Sequence, residues 1–212
     1  MDYQIYTMYV NRRDVLIEAL QSLGSCQAKT VILDNSPQQD LILDAFPGEI
    51  LTPSVPLYCS QSYNFIQRLA AQRGQDLFFI MHSDARASPE IIQALLQRAE
   101  ELDREQRQWG LLFTNYDVLC LLNAALIRDL HWDPFLPLYY TDVDYYYRLK
   151  LAGLEMIETY LPVEHQNGGS STHSDPNLKT YVETNYPAWR QYYMLKWGGE
   201  RGQERFTTPF NR

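Results

Sequence analysis

Five consecutive apolar residues, Leu77-Phe78-Phe79-Ile80-Met81, are too few to cross a membrane and are bounded by polar residues, so they read as a strand buried on both faces. The strand ends on His82-Ser83-Asp84. Ser88-Pro89-Glu90 then supplies a helix cap, a proline at the first helical position and an acid in the first turn, and Ile91, Ile92, Leu95 and Leu96 continue as an apolar face. His82, Ser83 and Asp84 therefore lie in a strand-to-helix loop. At the carboxyl edge of a largely parallel sheet such a loop holds ligands, which makes Asp84 a site candidate. The competing reading is that His82 and Asp84 only supply turn chemistry.

A chain of 212 residues fits one domain with at most a small appendage. The expected division is residues 1–170 as the main α/β domain and residues 171–212 as a helical extension packed on it. The net charge of −8 argues against a nucleic-acid partner, because phosphate backbones need clustered Lys and Arg. A phosphate-bearing ligand would instead need a divalent cation held by carboxylates. Cys26, Cys59 and Cys120 are odd in number and far apart, so they predict reduced buried thiols rather than a disulfide framework or zinc knuckle. With no leader-like start and no long apolar run, the expected location is cytoplasmic, with room for peripheral membrane contact through aromatics.

Taken in order, the pattern predicts strands at residues 3–10, 30–34, 49–52, 77–81, 110–114, 118–122 and 154–161. Helices are expected after residue 11, at 39–46, from Ser62-Tyr63-Asn64 to Arg73, from Pro89 to about Leu102, at 124–130, from Thr141 or Asp142 to Gly153, and from Asp175 to Gly198. The Gly-, Ser- and Thr-rich run from Pro162 to His173 predicts a mobile loop, and the residues after Gly199 an extended arm. Strands alternating with helices imply a mainly parallel central sheet covered on both faces, with a mixed-direction edge from the later strands. No G-x-G-x-x-G or P-loop motif is present. Asp142 and Asp144 open a helix, where acids commonly stabilise the N-terminus, and about 200° of rotation separates them. His165 follows a strand and is either a metal ligand or a structural residue.

These pieces together resemble the family 2 glycosyltransferases, whose fold is the Rossmann-like, nucleotide-sugar-binding GT-A type. The resemblance runs from about residue 3 to residue 165. It rests on Thr7-Met8-Tyr9-Val10-Asn11 after the first strand, Asp34-Asn35-Ser36 after the second, Ser62-Tyr63-Asn64 at a helix entry, His82-Ser83-Asp84 in place of a D-x-D motif, and Thr141-Asp142-Val143-Asp144 through Arg148 and Gly153. It departs from the pattern at His82, at Thr141 and in lacking glycines before Asn64. The resemblance implies an inverting, metal-dependent transfer of a sugar from a nucleotide-diphosphate donor, with UDP the expected nucleotide, to an acceptor hydroxyl. Asp84 and His165 would hold Mg²⁺ or Mn²⁺, and Asp142 would be the general base. Asp34 would accept from the base N–H, with Thr7, Tyr9, Asn64 and Ser83 completing the nucleotide site. The acceptor is a glycan or small molecule left open by the sequence. Two other readings stand beside this one: a non-catalytic nucleotide- or glycan-binding relative, favoured by the departures at His82 and Thr141, and a nucleotidyltransferase of similar architecture, disfavoured by the missing Gly-rich loop.

Overall fold

The computed structural model describes residues 2–115, 117–165 and 170–212, without the side chains of Ser170 and His173. Its elements are β1 (Ile5–Tyr9), α1 (Arg13–Ser22), β2 (Thr30–Asp34), β3 (Glu49–Leu51), α2 (Cys59–Gln72), β4 (Leu77–Met81), β5 (Ala85–Arg86), α3 (Pro89–Arg104), β6 (Trp109–Phe113), β7 (Leu119–Asn123), α4 (Thr141–Leu151), β8 (Glu155–Glu158), β9 (Glu164–His165), α5 (Ser170–Ser174) and α6 (Pro176–Trp197). Seven strands form one sheet in the order β3-β2-β1-β4-β7-β6-β8. The neighbours β3, β2, β1 and β4 are parallel. Strand β7 runs antiparallel to both β4 and β6, while β8 returns parallel to β6. The fully apolar strand β4 is thus the middle strand, and the mixed-direction half lies on its far side, as the sequence pattern predicts.

Residues of β4 alternate between two cores because successive side chains leave a strand on opposite faces. Leu77, Phe79 and Met81 pack with Ile92, Leu95, Leu96 and Ala99 of α3. Phe78 and Ile80 pack with Tyr63, Ile66 and Ala70 of α2 and with Tyr145 and Leu149 of α4. All five β4 residues are buried, so the strand has no solvent face and its carboxyl end opens directly into the loop of His82 to Asp84.

Several local expectations change. Residues 39–46 form no helix: Gln39 (φ 52°) and Ala45 (φ 56°) are left-handed, and the Leu41 N–H donates to Asp34 Oδ2 at 2.9 Å instead of to a helical carbonyl. Residues 124–129 are successive turns rather than a regular helix. The strand predicted at 154–161 shortens to Glu155–Glu158. Within the run predicted as a mobile loop, β9 pairs antiparallel with β5 and α5 forms a short helix, while residues 166–169 lie outside the described residues. The tail is no extended arm: Arg205 and Phe206 return their N–H groups to the Trp197 carbonyl, and the Phe206 ring lies against Gly198. Helix α6 does run as expected from an Asp175 cap, whose carboxylate accepts from Asn177 and Leu178, to Gly198 in the left-handed conformation. Among the described residues no helix is long and apolar enough to cross a membrane.

Candidate active site

The polar tripeptide at the end of β4 meets a residue from far along the chain. Pairing of Ala85 with His165, and of Arg86 with Glu164, pins β9 beside the loop. The His165 Nε2 then lies 3.3 Å from Asp84 Oδ1, and the His82 and His165 rings are 5.9 Å apart. One ligand atom from each of His82, Asp84 and His165 falls within 4.8 Å of the others. Asp84 is buried, whereas His82 keeps part of its surface open although protein surrounds it. Burial pushes the His82 pKa down, which keeps its imidazole neutral and able to donate a lone pair. A carboxylate and two imidazoles converging at this distance fit a divalent cation.

Two chambers adjoin this cluster and share Cys59, Tyr63, His82 and Leu138 as their common wall. The outer one, of about 400 Å³, is bordered by Met8, Asn35, Leu57, Ser83 and Asp84, with Ser171 and Thr172 of α5 on one side. Asn11 secures that short helix by donating from Nδ2 to the Ser171 carbonyl at 3.1 Å. The inner chamber, of about 200 Å³, is walled by Ile80, Leu111, Trp132 and Tyr146 and carries Asp117, Thr141 and Asp142. Burial, followed by the nearby Asp117 charge, raises the Asp142 pKa from its ordinary value. Cys59 reaches both chambers rather than a closed core, and burial pushes its thiol up to about 11, so it stays protonated and unreactive. Cys26, Cys59 and Cys120 are all free thiols.

Of the residues singled out from sequence, Ser83, Asp84, His165 and Asp142 come together here. Thr7, Tyr9, Asp34 and Asn64 do not border the chambers. Thr7 is fully buried in β1, and Tyr9 packs on the face of Leu16, Leu20 and Ile32, because β1 turns its even-numbered residue Met8 toward the chambers and its odd-numbered ones away. Asp34 is fully buried and spends its carboxylate on its own loop: Oδ1 accepts from Ser36 N and Oγ at 3.0 and 2.6 Å, Oδ2 from Leu41 N. Its neighbour Asn35 borders the outer chamber instead, held by donating to Ser62 Oγ at 2.8 Å and accepting from Leu57 N. Asn64 closes a two-bond clasp with the Trp132 backbone, N–H and carbonyl both at 2.8 Å, and so anchors the segment that walls the inner chamber.

Helix α4 presents its two acids differently, in keeping with the rotation between them. Asp142 borders the inner chamber, while Asp144 is fully buried against α6. Neither Thr141 nor Asp142 caps the helix. The cap position is Tyr140, left-handed at φ 64° with no side-chain cap bond, and the Thr141 hydroxyl is buried without a partner among the described residues. Asp117, in the β6–β7 turn, was not foreseen. Its Oδ2 accepts from Tyr146 OH at 2.9 Å, and its only sequence signal is a polar interruption between two apolar strands.

No family model and no curated protein matches this sequence. Solved structures do resemble the fold. S. aureus TarS residues 1–349 in complex with UDP aligns at 12% identity with a TM-score of 0.56, over 76% of this chain and 59% of that one. Glucosyl-3-phosphoglycerate synthase from Mycobacterium tuberculosis, crystallised with Mn²⁺, UDP and glucosyl-3-phosphoglycerate, aligns at 13% identity and a TM-score of 0.55, over 88% and 79%. CMP:2-keto-3-deoxy-manno-octonic acid synthetase complexed with CTP aligns at 9% identity and 0.56, over 87% and 100%. The chain spans about three fifths of the TarS chain it matches. These likenesses, together with the sheet order and the position of the cluster at its carboxyl edge, establish the GT-A-like α/β fold that nucleotide-diphospho-sugar transferases share.

Proposed function

We propose that the protein is a metal-dependent, inverting glycosyltransferase that moves a sugar from a UDP-linked donor to an acceptor hydroxyl. The observation that carries this reading is the juxtaposition of a three-ligand cluster, His82, Asp84 and His165, with a chamber holding the raised-pKa carboxylate of Asp142. In this reading the outer chamber takes the nucleotide, with Asn35 and Ser83 in contact range of it, and Asp34 acts by shaping the loop that presents Asn35. Thr7, Tyr9 and Asn64 likewise act through the frame of the site. A cation held by the cluster would offset the negative charge that develops on the leaving diphosphate. The two imidazoles favour Mn²⁺ over Mg²⁺, which prefers an all-oxygen shell. Asp142 would take the proton from the acceptor hydroxyl as it attacks on the face opposite the leaving group, and a single base with direct attack gives inversion. Burial strengthens Asp142 as a base, and the apolar walls around it keep out competing water.

The test is titration calorimetry of the protein with UDP. In Mn²⁺ it is expected to bind at least about tenfold more tightly than in EDTA, with Mg²⁺ between the two, and Asp84→Ala or His165→Ala should abolish the difference. Equal affinity with and without metal would remove the cluster from this role. UDP binding without turnover of any nucleotide sugar would make the protein a non-catalytic relative.

A further inference from the structure

The inner chamber leads outward over a band of tyrosines. Tyr139 borders the chamber and is 41% exposed, with its ring 5.6 Å from Tyr186 of α6 and near-parallel to Trp189. Tyr58, at the outer chamber, stacks on Tyr181 of α6 at 5.5 Å with 12° between the planes. Tyr58 and Tyr186 are also more than 40% exposed, so the band offers aromatic surface to solvent. Such rings are rigid, amphipathic platforms that pack against the C–H faces of a ligand while their hydroxyls bond its edge.

The electrostatics of the chamber narrow the ligand further. Asp117 and Asp142 are its charged groups among the described lining residues, and no Lys or Arg lines it. The nearby Arg190 is tied to Glu200, and Arg201, exposed outside the lining, acts on Asp142 more weakly than Asp117 does. A phosphate or carboxylate on an acceptor would therefore meet two carboxylates in a poorly solvated space, an arrangement that repels it. A ligand with neutral hydroxyls meets no such repulsion, and its O–H groups can donate to the Asp117 and Asp142 carboxylates of the lining.

We propose that the inner chamber and its tyrosine band form the acceptor subsite and that the acceptor is an uncharged saccharide. One sugar ring fits the chamber beside Asp142, and further units lie outside across Tyr139, Tyr186 and Tyr58. The assignment of the transferring face to this chamber rests on the function proposed above, whereas the saccharide contact itself does not.

An array of immobilised neutral and acidic oligosaccharides, read with the full chain in UDP and Mn²⁺, tests it. Neutral glycans should dominate the bound set. For the best of them, calorimetry should show affinity falling about tenfold in Tyr139→Ala and in Tyr186→Ala, with recovery in Tyr139→Phe and with UDP affinity unchanged. Acidic glycans leading the set, no glycan bound at all, or unchanged affinity in both alanine variants would each overturn it. Equal protection by n-octanol, read as displacement of the bound glycan, would overturn it in favour of a lipid alcohol. Glycan binding through Tyr139 without any UDP binding would sink the transferase reading and leave the saccharide subsite standing.

Discussion

Asp142→Asn is expected to lower sugar transfer by roughly 10²–10⁴-fold while leaving UDP affinity nearly unchanged and the thermal midpoint unchanged or slightly raised. The asparagine keeps the size of the side chain and one acceptor oxygen but loses the charge and the ability to take a proton. Asp142 borders the inner chamber, and the first-turn bond its carboxylate accepts from Val143 N can be kept by the amide oxygen of asparagine. The alternative, that Asp142 only steadies the helix N-terminus, gives the opposite pattern: Asp142→Ala would lose about 0.5–2 kcal/mol of stability with no specific loss of rate. A pH profile separates the two again. Burial and the Asp117 charge raise the Asp142 pKa in the folded chain, so ionising it costs stability, and that contribution is intact at low pH and lost as pH rises through the raised value. Activity follows the reverse course, because only the carboxylate accepts the proton. The rate in wild type should climb through that pKa, and the climb should be missing in Asp142→Asn. A profile with the same acid limb in both proteins would take Asp142 out of the base role.

Much of this geometry was legible in the sequence because it hangs on periodicity. The run Leu77 to Met81 could be placed mid-sheet since a strand apolar on both faces needs cover on both, and the placement carried Ser83 and Asp84 to the carboxyl edge. The 100° step along a helix likewise separated Asp142 from Asp144 correctly. What periodicity does not encode is which face a strand residue takes or what a polar loop bonds to. Thr7 and Tyr9 fit a motif by spacing, yet the sheet turns them from the chambers and offers Met8. Asp34 has the right type at the right strand end, but Ser36 and Leu41 lie close enough to consume its oxygens, and no periodic signal encodes that local competition. His82 entered as a departure from a D-x-D pattern. Only the pairing of β5 with β9, a contact between residues about 80 positions apart in sequence, shows it beside His165.

Asp144 carries the largest expected loss of stability, because it is fully buried and pairs with two cations, Lys196 and Arg148, that are themselves mostly buried. Its Oδ1 lies 2.6 Å from Lys196 Nζ and accepts from the Trp197 indole at 2.8 Å, while Oδ2 accepts from Arg148 Nε at 2.8 Å. Lys196 also lies 2.6 Å from Asp133, and both Asp144 and Lys196 are almost wholly buried. At Asp133 burial works against the charged form, but the hydrogen bond from Lys196 and those from Phe135 N and Tyr192 outweigh it and hold the carboxyl below its ordinary range. The network therefore joins α4, the segment around Asp133 and α6. Removing one member of a buried ion pair leaves the other uncompensated, which typically costs about 3–5 kcal/mol, whereas replacing the set by apolar groups is often neutral. Asp144→Ala and Lys196→Ala should each lose about 3–5 kcal/mol in urea unfolding at neutral pH, with the residual Asp133 pairing placing Asp144→Ala toward the lower end. The combined Asp144→Leu/Lys196→Met chain should recover part of that loss if Asp133 is also made Asn. Coupling is the deciding quantity: two single losses that simply add would mean that the residues act independently and that the short contacts carry no joint energy. A sub-additive double variant, together with UDP affinity intact in whatever fraction remains folded, would identify the network as the brace of α6 against α4 and separate its structural task from the catalytic one proposed for Asp142 on the same helix.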